Sequence, residues 1–388
     1  MVSKSNRILI TTAALLIGVS IVFGLTKLGN SSVGPIEQLL NSMQNTVHDI
    51  EQKGIIKERV KTRGEKLKWL EKYIKNIDQL KNPRPVLIGA FDNNAVSNFK
   101  PILNLEDSLN TTFPLIHIYT AWGSKREQEF PKKQVMDIKD LGSIPVITWE
   151  PWLTDFDAND NNNLRPSAVR DKKGMTDVAN GVYDFYIKTW ALEAKKIKTP
   201  LFIRLAHEMN DPYRYPWGPQ NNDAKDFVSA WKHIHDLFKT VGVKNVIWVW
   251  APHPAYGYFN EYYPGTEYVD YVGTGTLNYG PVVNWGKWWS FNEILGNHYQ
   301  ELAAFKKPIM LTEFASLGYG GDRNQWYDEA LRDIPSKYPQ VKILLFFHFD
   351  ADNTTTLQEL NWQIINDKNI VKTVKENIAK WPDSLQMK

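Results

Sequence analysis

Eight short apolar segments recur along residues 83–388, and each is followed by a loop and a helical stretch. Continuously apolar strands that alternate with helices are typical of a parallel sheet covered by helices. Eight such units predict an α/β fold of the (β/α)8 TIM-barrel type, and a doubly wound open sheet is the alternative. No glycine-rich phosphate loop follows the first segment, which disfavours a nucleotide-binding open sheet. The segments are residues 85–92, 114–122, 144–152, 200–208, 245–253, 271–278, 308–316 and 343–350.

The charge and residue content of the chain exclude several classes of function. Its 388 residues carry a net charge of +3, which gives no indication of a nucleic-acid or acidic partner. The absence of cysteine excludes disulfides, cysteine-ligated zinc and a thiol nucleophile. The 15 tryptophans are a high number, and indole rings serve well where a flat, partly polar ligand must be bound.

The N-terminus carries an apolar run at residues 8–25, which Lys4 and Arg7 precede. This run is long enough to cross a bilayer as a helix, and the leading positive charges predict a cytoplasmic N-terminus. Residues 1–29 are therefore predicted to be a single-pass anchor in the cell membrane, with the barrel extracytoplasmic. The alternative is a cleaved signal peptide, which would make the protein secreted, although no clean A-x-A cleavage site is present.

Residues 30–82 are predicted to form a linker and a helical stalk, and a helix packed on the barrel is the alternative. Apolar residues recur there at helical spacing. Gly54 and Gly64 disfavour one long continuous helix of the kind that a coiled coil needs. The barrel itself is assigned to residues 83–388.

Two glutamates close apolar segments at the positions where TIM barrels carry their active sites. Glu208 ends the fourth segment, and Glu313 lies towards the end of the seventh. These strands face each other across a barrel mouth. Glycosidic bond cleavage needs two facing carboxyl groups, one to donate a proton and one to attack or to activate water. The pair therefore indicates glycoside chemistry, whereas either residue alone could be an ordinary ion-pair partner.

The residues around the two glutamates resemble glycoside hydrolase family 26 of the retaining clan A glycosidases. The resemblance is carried by His207-Glu208-Met209-Asn210 and by Glu313-Phe314-Ala315, and it covers roughly residues 84 to 380. It implies that Glu208 is the general acid/base and Glu313 the nucleophile. It also implies a double displacement with retention, for which the carboxyl groups stand about 5 Å apart.

Three neighbours are predicted to support the catalytic pair. Arg204 precedes Glu208 by four residues, so strand alternation would point both side chains to one face, and the arginine would keep Glu313 ionised. The resemblance implies that His207 binds the sugar on the nucleophile side or orients a carboxylate. It also implies that Tyr279 donates a hydrogen bond to the nucleophile. Each of the three could instead have a purely structural role.

Aromatic rings near the predicted barrel mouth are candidates for stacking on sugar faces, while polar groups bind the hydroxyls. Two differences from the mannan-cleaving members leave the sugar open: Asp211-Pro212-Tyr213 replaces a Gly-Gly-Trp motif, and Phe347-His348 stands where many clan members carry a tryptophan. The predicted substrate-binding residues are Trp149, Trp152, Tyr213, Trp217, Trp285, Trp288 and His348.

The sequence thus predicts a retaining endo-β-glycanase that acts on β-mannan, mixed-linkage β-glucan or an exopolysaccharide. No cofactor and no metal are expected, and the Asp/Asn-rich loop at residues 155–163 lacks the glycine and closing glutamate of a calcium loop. A polysaccharide synthase or export complex is a possible partner beside the membrane. The alternatives are a catalytically silent glycan-binding scaffold in such a complex and a transglycosylase.

Overall fold

The computed structural model describes residues 35–93, 98–283, 286–355 and 358–382. The chain divides into two compact units between Glu51 and Gln52, and the second unit contains the whole barrel. The predicted anchor at residues 1–29 lies outside the described residues. Within the described ranges, no helix combines the length and the apolar character that crossing a membrane requires.

Eight parallel strands form a closed barrel in sequence order, and β8 completes it by pairing with β1. The predicted TIM barrel is therefore confirmed, and the open-sheet alternative is wrong. The strands are β1 Leu87–Phe91, β2 Leu115–Ala121, β3 Ile144–Glu150, β4 Leu201–Leu205, β5 Val246–Trp250, β6 Tyr271–Asn278, β7 Ile309–Ser316 and β8 Val341–Phe347.

Helices precede the barrel and cover its outside, as a parallel sheet requires. Apolar residues of the strands and helices form one large buried layer between them. The α-helices are α1 Pro35–Lys66, α2 Glu71–Lys75, α3 Ile77–Leu80, α4 Lys100–Leu109, α5 Lys132–Asp140, α6 Gly174–Ala179, α7 Asp184–Lys196, α8 Ala224–Val241, α9 Phe259–Tyr262, α10 Asn297–Ala303, α11 Arg323–Lys337 and α12 Lys368–Ile378.

The long helix α1 is continuous through both of its glycines, so the prediction that Gly54 and Gly64 would interrupt it is wrong. Each glycine costs only about 1 kcal/mol relative to alanine in a helix. Contacts made by the second half of α1 offset this cost. Gln52 accepts a hydrogen bond of 3.1 Å from the backbone N–H of Phe99, which lies just before α4.

Arg63 joins the end of α1 to the barrel through a buried polar cluster. Its guanidinium forms an ion pair with Glu106 of α4 and donates to the hydroxyl of Ser143 at 2.6 Å. It also donates to the carbonyl of Leu141 at 2.9 Å. Because a buried guanidinium is tolerated only when it is paired and hydrogen-bonded, these contacts fix the C-terminal end of α1 on the barrel.

Residues between α1 and β1 close the N-terminal end of the barrel. Leu70, Tyr73 and Leu80 are buried in a cluster with the first inward-facing residues of the strands. The hydroxyl of Tyr271 at the start of β6 donates a hydrogen bond of 2.7 Å to the carbonyl of Leu80. This end of the barrel is a packed core, and the C-terminal end of the strands carries the polar residues described next.

Candidate active site

Glu313 lies within β7 and faces the barrel interior, where two groups bind the same carboxylate oxygen. Arg204 of β4 donates to Oε1 at 2.7 Å, and the hydroxyl of Tyr119 on β2 donates to it at 2.6 Å. Burial alone would raise the pKa of Glu313, but the charge of Arg204 and these two hydrogen bonds outweigh burial and lower the pKa below its ordinary value. Glu313 is therefore held as a carboxylate.

The guanidinium of Arg204 is fixed from several sides. It donates to the hydroxyl groups of Thr148 on β3 at 2.7 Å and Thr312 on β7 at 3.0 Å. It also donates to the hydroxyl of Tyr119 at 2.7 Å. Only 1% of the arginine is exposed, so its charge acts on Glu313 with little screening by water.

Glu208 lies beyond the end of β4 rather than on it. The strand ends at Leu205, and the backbone then enters the left-handed region at Ala206 (φ 42°) and Glu208 (φ 53°). The argument that strand alternation aligns Arg204 with Glu208 is therefore wrong, because the alternation stops at Leu205. A hydrogen bond of 2.7 Å from the Glu208 N–H to the carbonyl of Ala251 after β5 holds the turn instead.

The two glutamates face one small space beside β6. Glu208 Oε1 and Glu313 Oε2 lie 3.8 Å and 3.9 Å from the point that a Cβ atom on Gly275 would occupy. Glycine at this position leaves the space between the two carboxyl groups open. The separation of about 5 Å that retention requires stays a prediction.

The pKa of Glu208 is shifted in the opposite direction from that of Glu313. Burial and the negative charge of Glu313 raise the pKa of Glu208 to about 7, although Arg214 and Arg204 lower it. Its Oε2 atom is buried and accepts no hydrogen bond within the described part of the chain. Glu208 can therefore carry a proton near neutral pH and give it up to a group placed beside it.

His207 lies between Tyr215 and the end of β3. Its Nε2 atom is 2.9 Å from the hydroxyl of Tyr215, and its Nδ1 atom is 3.8 Å from Oε1 of Glu150. Burial, with a smaller effect from the charge of Arg204, places the pKa of His207 well below its usual value, so the ring is neutral. Whether it binds a sugar stays a prediction.

Glu208, Asp211 and His253 each offer one atom within 4.8 Å of the others, which is a spacing that a metal ion could use. Two observations disfavour a cation here. The N–H of Ala255 donates to Nδ1 of His253 at 3.2 Å, so a neutral imidazole carries its proton on the other nitrogen. Arg214 places positive charge near the same carboxyl group. Both features therefore disfavour a metal ion at this cluster.

Two of the predicted substrate-binding tryptophans are packing residues, and these predictions are wrong. Trp149 is fully buried outside the barrel, where it stacks on Trp190 of α7 with ring centroids 4.3 Å apart. Trp217 is also fully buried, stacks on Tyr215 at 4.7 Å and donates to the carbonyl of His207 at 2.8 Å. Neither indole has a face left for a sugar.

The other predicted binding residues occupy different parts of the surface. Trp152 is half-buried beside Glu150 and Trp217. Tyr213 is 81% exposed and packs against Tyr256 at 5.9 Å. Both remain candidates for sugar stacking.

Trp288, beyond β6, is half-buried and fills the space beside Gly321. His348, after β8, is buried with Nδ1 3.4 Å from the carboxylate of Asp92. Trp285 lies outside the described residues. Sugar contacts by Trp288 and His348 stay predictions.

Tyr119 was missed by the sequence analysis, which assigned the hydrogen bond to the nucleophile to Tyr279 alone. Tyr279 packs edge-on against Trp362 at 4.9 Å and lies near both glutamates and Arg214. Tyr119 could have been found from strand alternation, because it follows the polar His117 by two residues on β2 and so points inward.

A sequence profile described as glycosyl hydrolase family 26 matches residues 148–372, which contain Arg204, Glu208 and Glu313. This chain belongs to glycosyl hydrolase family 26. Its predicted family is therefore confirmed, and the matched range covers more than half of the sequence. The match begins within β3, so β1 and β2 lie outside it.

The relatives of this family 26 chain include proteins named as an endoglucanase and as mannosidases. Endoglucanase H of Acetivibrio thermocellus is 29% identical over 274 residues, which are 68% of this chain and 27% of that protein. A mannan endo-1,4-beta-mannosidase of Bacillus subtilis is 26% identical over 194 residues, 47% of each protein. The chain therefore spans between about a quarter and a half of these relatives.

Solved structures agree with the family fold. GH26C from a Muricauda species has a TM-score of 0.57 and 15% identity, with 80% of this chain and 91% of that chain covered. A GH26 beta-mannanase from Bacteroides ovatus has a TM-score of 0.54 and 14% identity, with 78% and 90% covered. At these identities the likeness shows the fold alone.

Proposed function

We propose that this chain is a retaining endo-β-glycanase, with Glu208 as general acid/base and Glu313 as nucleophile. The observation that carries the proposal is the opposite protonation of two carboxyl groups that face one space. Glu313 is kept ionised by Arg204 and Tyr119, while burial and the charge of Glu313 raise the pKa of Glu208 to about 7. Pairs of carboxyls with separated pKa values are the mark of acid/base and nucleophile roles.

In the first step, a carboxylate oxygen of Glu313 attacks the anomeric carbon, and the bond from that carbon to the leaving oxygen breaks. Glu208 gives its proton to the leaving oxygen, so that the departing sugar leaves as a neutral alcohol. The product is a glycosyl ester on Glu313. Because Glu313 loses its negative charge on forming the ester, the main electrostatic reason for the raised pKa of Glu208 disappears.

In the second step, Glu208 is ionised and takes a proton from a water molecule as that water attacks the anomeric carbon. The ester bond to Glu313 breaks, and the carboxylate returns to Arg204 and Tyr119. Two inversions at one carbon give net retention of configuration. Glu208 ends the cycle protonated and Glu313 ionised, as at the start.

The proposed substrate is a β-linked polysaccharide, with β-mannan and mixed-linkage β-glucan as the first two to test and a bacterial exopolysaccharide as the third. The names of the relatives support a choice between a glucan and a mannan. Tyr213, which stands in the segment that replaces the Gly-Gly-Trp motif, is 81% exposed and offers a sugar an aromatic surface other than the tryptophan of that motif.

The test is the release of reducing ends by the full-length chain. The chain is assayed in detergent if it is recovered in the membrane fraction. Mannan, glucomannan, mixed-linkage β-glucan and xylan are offered, with Glu208→Ala and Glu313→Ala in parallel. We expect one polymer to be cut by the unmodified chain and by neither variant. A fall in viscosity faster than the release of reducing ends would establish endo action.

Azide provides the control that separates the two roles. With an activated aryl glycoside, azide should restore turnover of Glu208→Ala and give the β-glycosyl azide, because the first step survives and azide needs no base. It should give the α-azide with Glu313→Ala. A polymer that is bound but not cut by the unmodified chain would support the catalytically silent scaffold. Transfer to added sugar in place of hydrolysis would support a transglycosylase.

We also propose that residues 1–29 anchor the chain in the cell membrane and keep the barrel extracytoplasmic, beside a polysaccharide synthase or export complex. The support is the apolar run at residues 8–25 with Lys4 and Arg7 before it. The test is the N-terminal sequence and membrane fraction of the native protein. An N-terminus beyond Leu25 in a soluble fraction would contradict the anchor.

A further inference from the structure

A third carboxyl group, Glu150, lies beside the catalytic pair and has no part in the double displacement. It is the last residue of β3, and its side chain is 17% exposed. Burial raises its pKa, and the charges of Arg204 and Glu313 act on it in opposite directions. It therefore lies near the ion pair of Arg204 and Glu313, beside which the sugar that becomes attached to Glu313 must be bound.

The position of Glu150 is fixed by contacts to one of its oxygens and to its backbone. The indole N–H of Trp152 donates to Oε2 at 3.1 Å. The backbone carbonyl of Glu150 accepts hydrogen bonds from the backbone N–H groups of Trp122 at 2.7 Å and Trp152 at 2.9 Å. One carboxylate oxygen is therefore occupied and the other, Oε1, is held in a set direction.

Oε1 of Glu150 and Nδ1 of His207 form an incomplete pair. They are 3.8 Å apart, which is too long for a hydrogen bond. Within the described part of the chain, Nδ1 is buried without a hydrogen-bond partner, and the indole N–H of Trp152 binds Oε2 and not Oε1. His207 is 2% exposed, so an unsatisfied nitrogen there is costly unless another molecule completes it.

The chemistry of the gap selects a hydroxyl group. When the hydroxyl of Tyr215 donates to Nε2 of His207, the ring proton lies on Nδ1 and points into the gap. A carboxylate oxygen accepts on the other side. A hydroxyl oxygen about 2.8 Å from each atom can accept from the imidazole and donate to the carboxylate at once, which neither a cation nor an apolar group can do.

We propose that Glu150, together with His207, binds one hydroxyl group of the sugar on the nucleophile side and is a specificity-determining residue. The half-buried indole of Trp152 lies next to the pair and offers an apolar surface for the same sugar. Since an axial and an equatorial hydroxyl cannot both reach this gap, the pair contributes to the choice between a β-mannan and a β-glucan. This inference rests on the proposed glycanase function.

The test is a double-mutant-type cycle with the full-length chain, in which removal of one substrate hydroxyl is combined with substitution of one residue. The probes are 2,4-dinitrophenyl β-cellobioside and β-mannobioside, and their monodeoxy analogues in the sugar that carries the dinitrophenyl group. Each is assayed for kcat and KM with the unmodified chain, Glu150→Ala, Glu150→Gln and Trp152→Phe. Thermal unfolding of every variant establishes that it is folded at the assay temperature.

We expect one deoxy position to lower kcat/KM of the unmodified chain by about 10- to 100-fold, as for a lost hydrogen bond to a charged group. In Glu150→Ala the same deoxygenation should cost less than about threefold, because the hydroxyl no longer has its acceptor. Glu150→Gln keeps an acceptor oxygen and should recover part of the discrimination. Trp152→Phe removes the N–H that holds Oε2 but keeps Glu150, so the sensitivity to that deoxy position should fall less than in Glu150→Ala.

The proposal would be overturned if, at every deoxy position, the loss in kcat/KM from deoxygenation and the loss from Glu150→Ala simply multiplied. That result would mean that Glu150 acts on His207 or on folding and not on a hydroxyl. A Glu150→Ala variant that keeps the full discrimination of the unmodified chain would overturn it as well. Failure of the proposed function gives a different result: the unmodified chain would then turn over neither parent glycoside.

Discussion

Arg204 on β4 spans the barrel interior to donate a hydrogen bond of 2.7 Å to Oε1 of Glu313 on β7, and both side chains are almost fully buried. In such a site the interaction of the two charges is weakly screened. The pair therefore sets the protonation state of the proposed nucleophile. The negative charge that Glu313 retains also raises the pKa of Glu208, although Arg204 itself lowers that pKa.

Replacing Arg204 should move the acid limb of the pH–rate profile. Glu313 must be ionised to attack, and Arg204 lowers its pKa, so Arg204→Gln should raise that pKa. The acid limb of kcat/KM should then shift to higher pH, and the maximum should fall by about 100-fold or more. Arg204→Lys keeps the charge and is the control. An unchanged acid limb in Arg204→Gln would contradict this role.

Removing the hydroxyl of Tyr119 should slow the chemical steps without weakening substrate binding. Tyr119→Phe loses the 2.6 Å hydrogen bond to Glu313 while the ring stays packed on Phe91 at 4.6 Å. We expect kcat to fall by about 10- to 100-fold with KM within a factor of about 3. The matched change is Tyr186→Phe, whose hydroxyl donates to a backbone carbonyl of Gln128 away from the carboxyl pair. Equal losses in both variants would mean a general packing effect.

Arg214 should determine where the alkaline limb of the pH–rate profile lies. Its positive charge lowers the pKa of Glu208, which lies at about 7 with the arginine present. Arg214→Gln should raise that pKa, so the acid group would stay protonated to higher pH and the alkaline limb of kcat/KM should move up. Arg214→Lys should leave the limb near its original place. A downward shift in Arg214→Gln would contradict the assignment of Glu208 as the acid.

Trp149 should affect stability and leave substrate binding unchanged. Its indole packs between the barrel and α7, so Trp149→Leu should lower the free energy of unfolding by about 3 kcal/mol. At a temperature where the variant is folded, KM should match that of the unmodified chain. Trp152→Leu is the comparison, because that half-buried indole remains a candidate for sugar stacking and its loss should then raise KM. A raised KM with intact stability in Trp149→Leu would restore the original prediction for that residue.

The end of α1 should behave as part of the barrel. Arg63→Ala leaves Glu106 buried without its ion pair and should lower the free energy of unfolding by about 3–5 kcal/mol. Arg59→Ala is the control, because its pair with Asp107 is largely exposed and contributes at most about 1 kcal/mol. Equal effects of the two changes, measured by denaturant unfolding, would contradict a structural role for the buried cluster.

The fold could be predicted because each strand is a continuous apolar segment, and eight of them followed one another with helices between. Because these segments are apolar throughout, the sequence did not indicate which side chains face the barrel interior. Thr148 points into the barrel and binds Arg204, so its neighbour Trp149 must point outward to the helices. Alternation gives this answer only when one inward residue is known, because strands buried on both faces show little polar contrast.

The catalytic pair could be predicted because a glutamate is unusual in an apolar strand, and the family resemblance assigned the roles. The backbone around Glu208 could not be predicted, since Ala206 and Glu208 adopt a left-handed conformation that their residue types do not favour. Glu150 and Tyr119 were missed because their roles depend on contacts between different strands. Strand alternation places Tyr119 on the same face as His117, but it does not indicate which groups on other strands Tyr119 or Glu150 contacts.

The most direct test of the account is to trap the intermediate on the nucleophile. The full-length chain is incubated with 2,4-dinitrophenyl 2-deoxy-2-fluoro-β-glycosides of the disaccharide from the polymer that it cuts, then digested and analysed by peptide mass spectrometry. We predict a fluoroglycosyl adduct on Glu313, with accumulation abolished in Glu313→Ala. An adduct on another residue, or cleavage of the polymer by Glu313→Ala at the unmodified rate, would contradict the central claim.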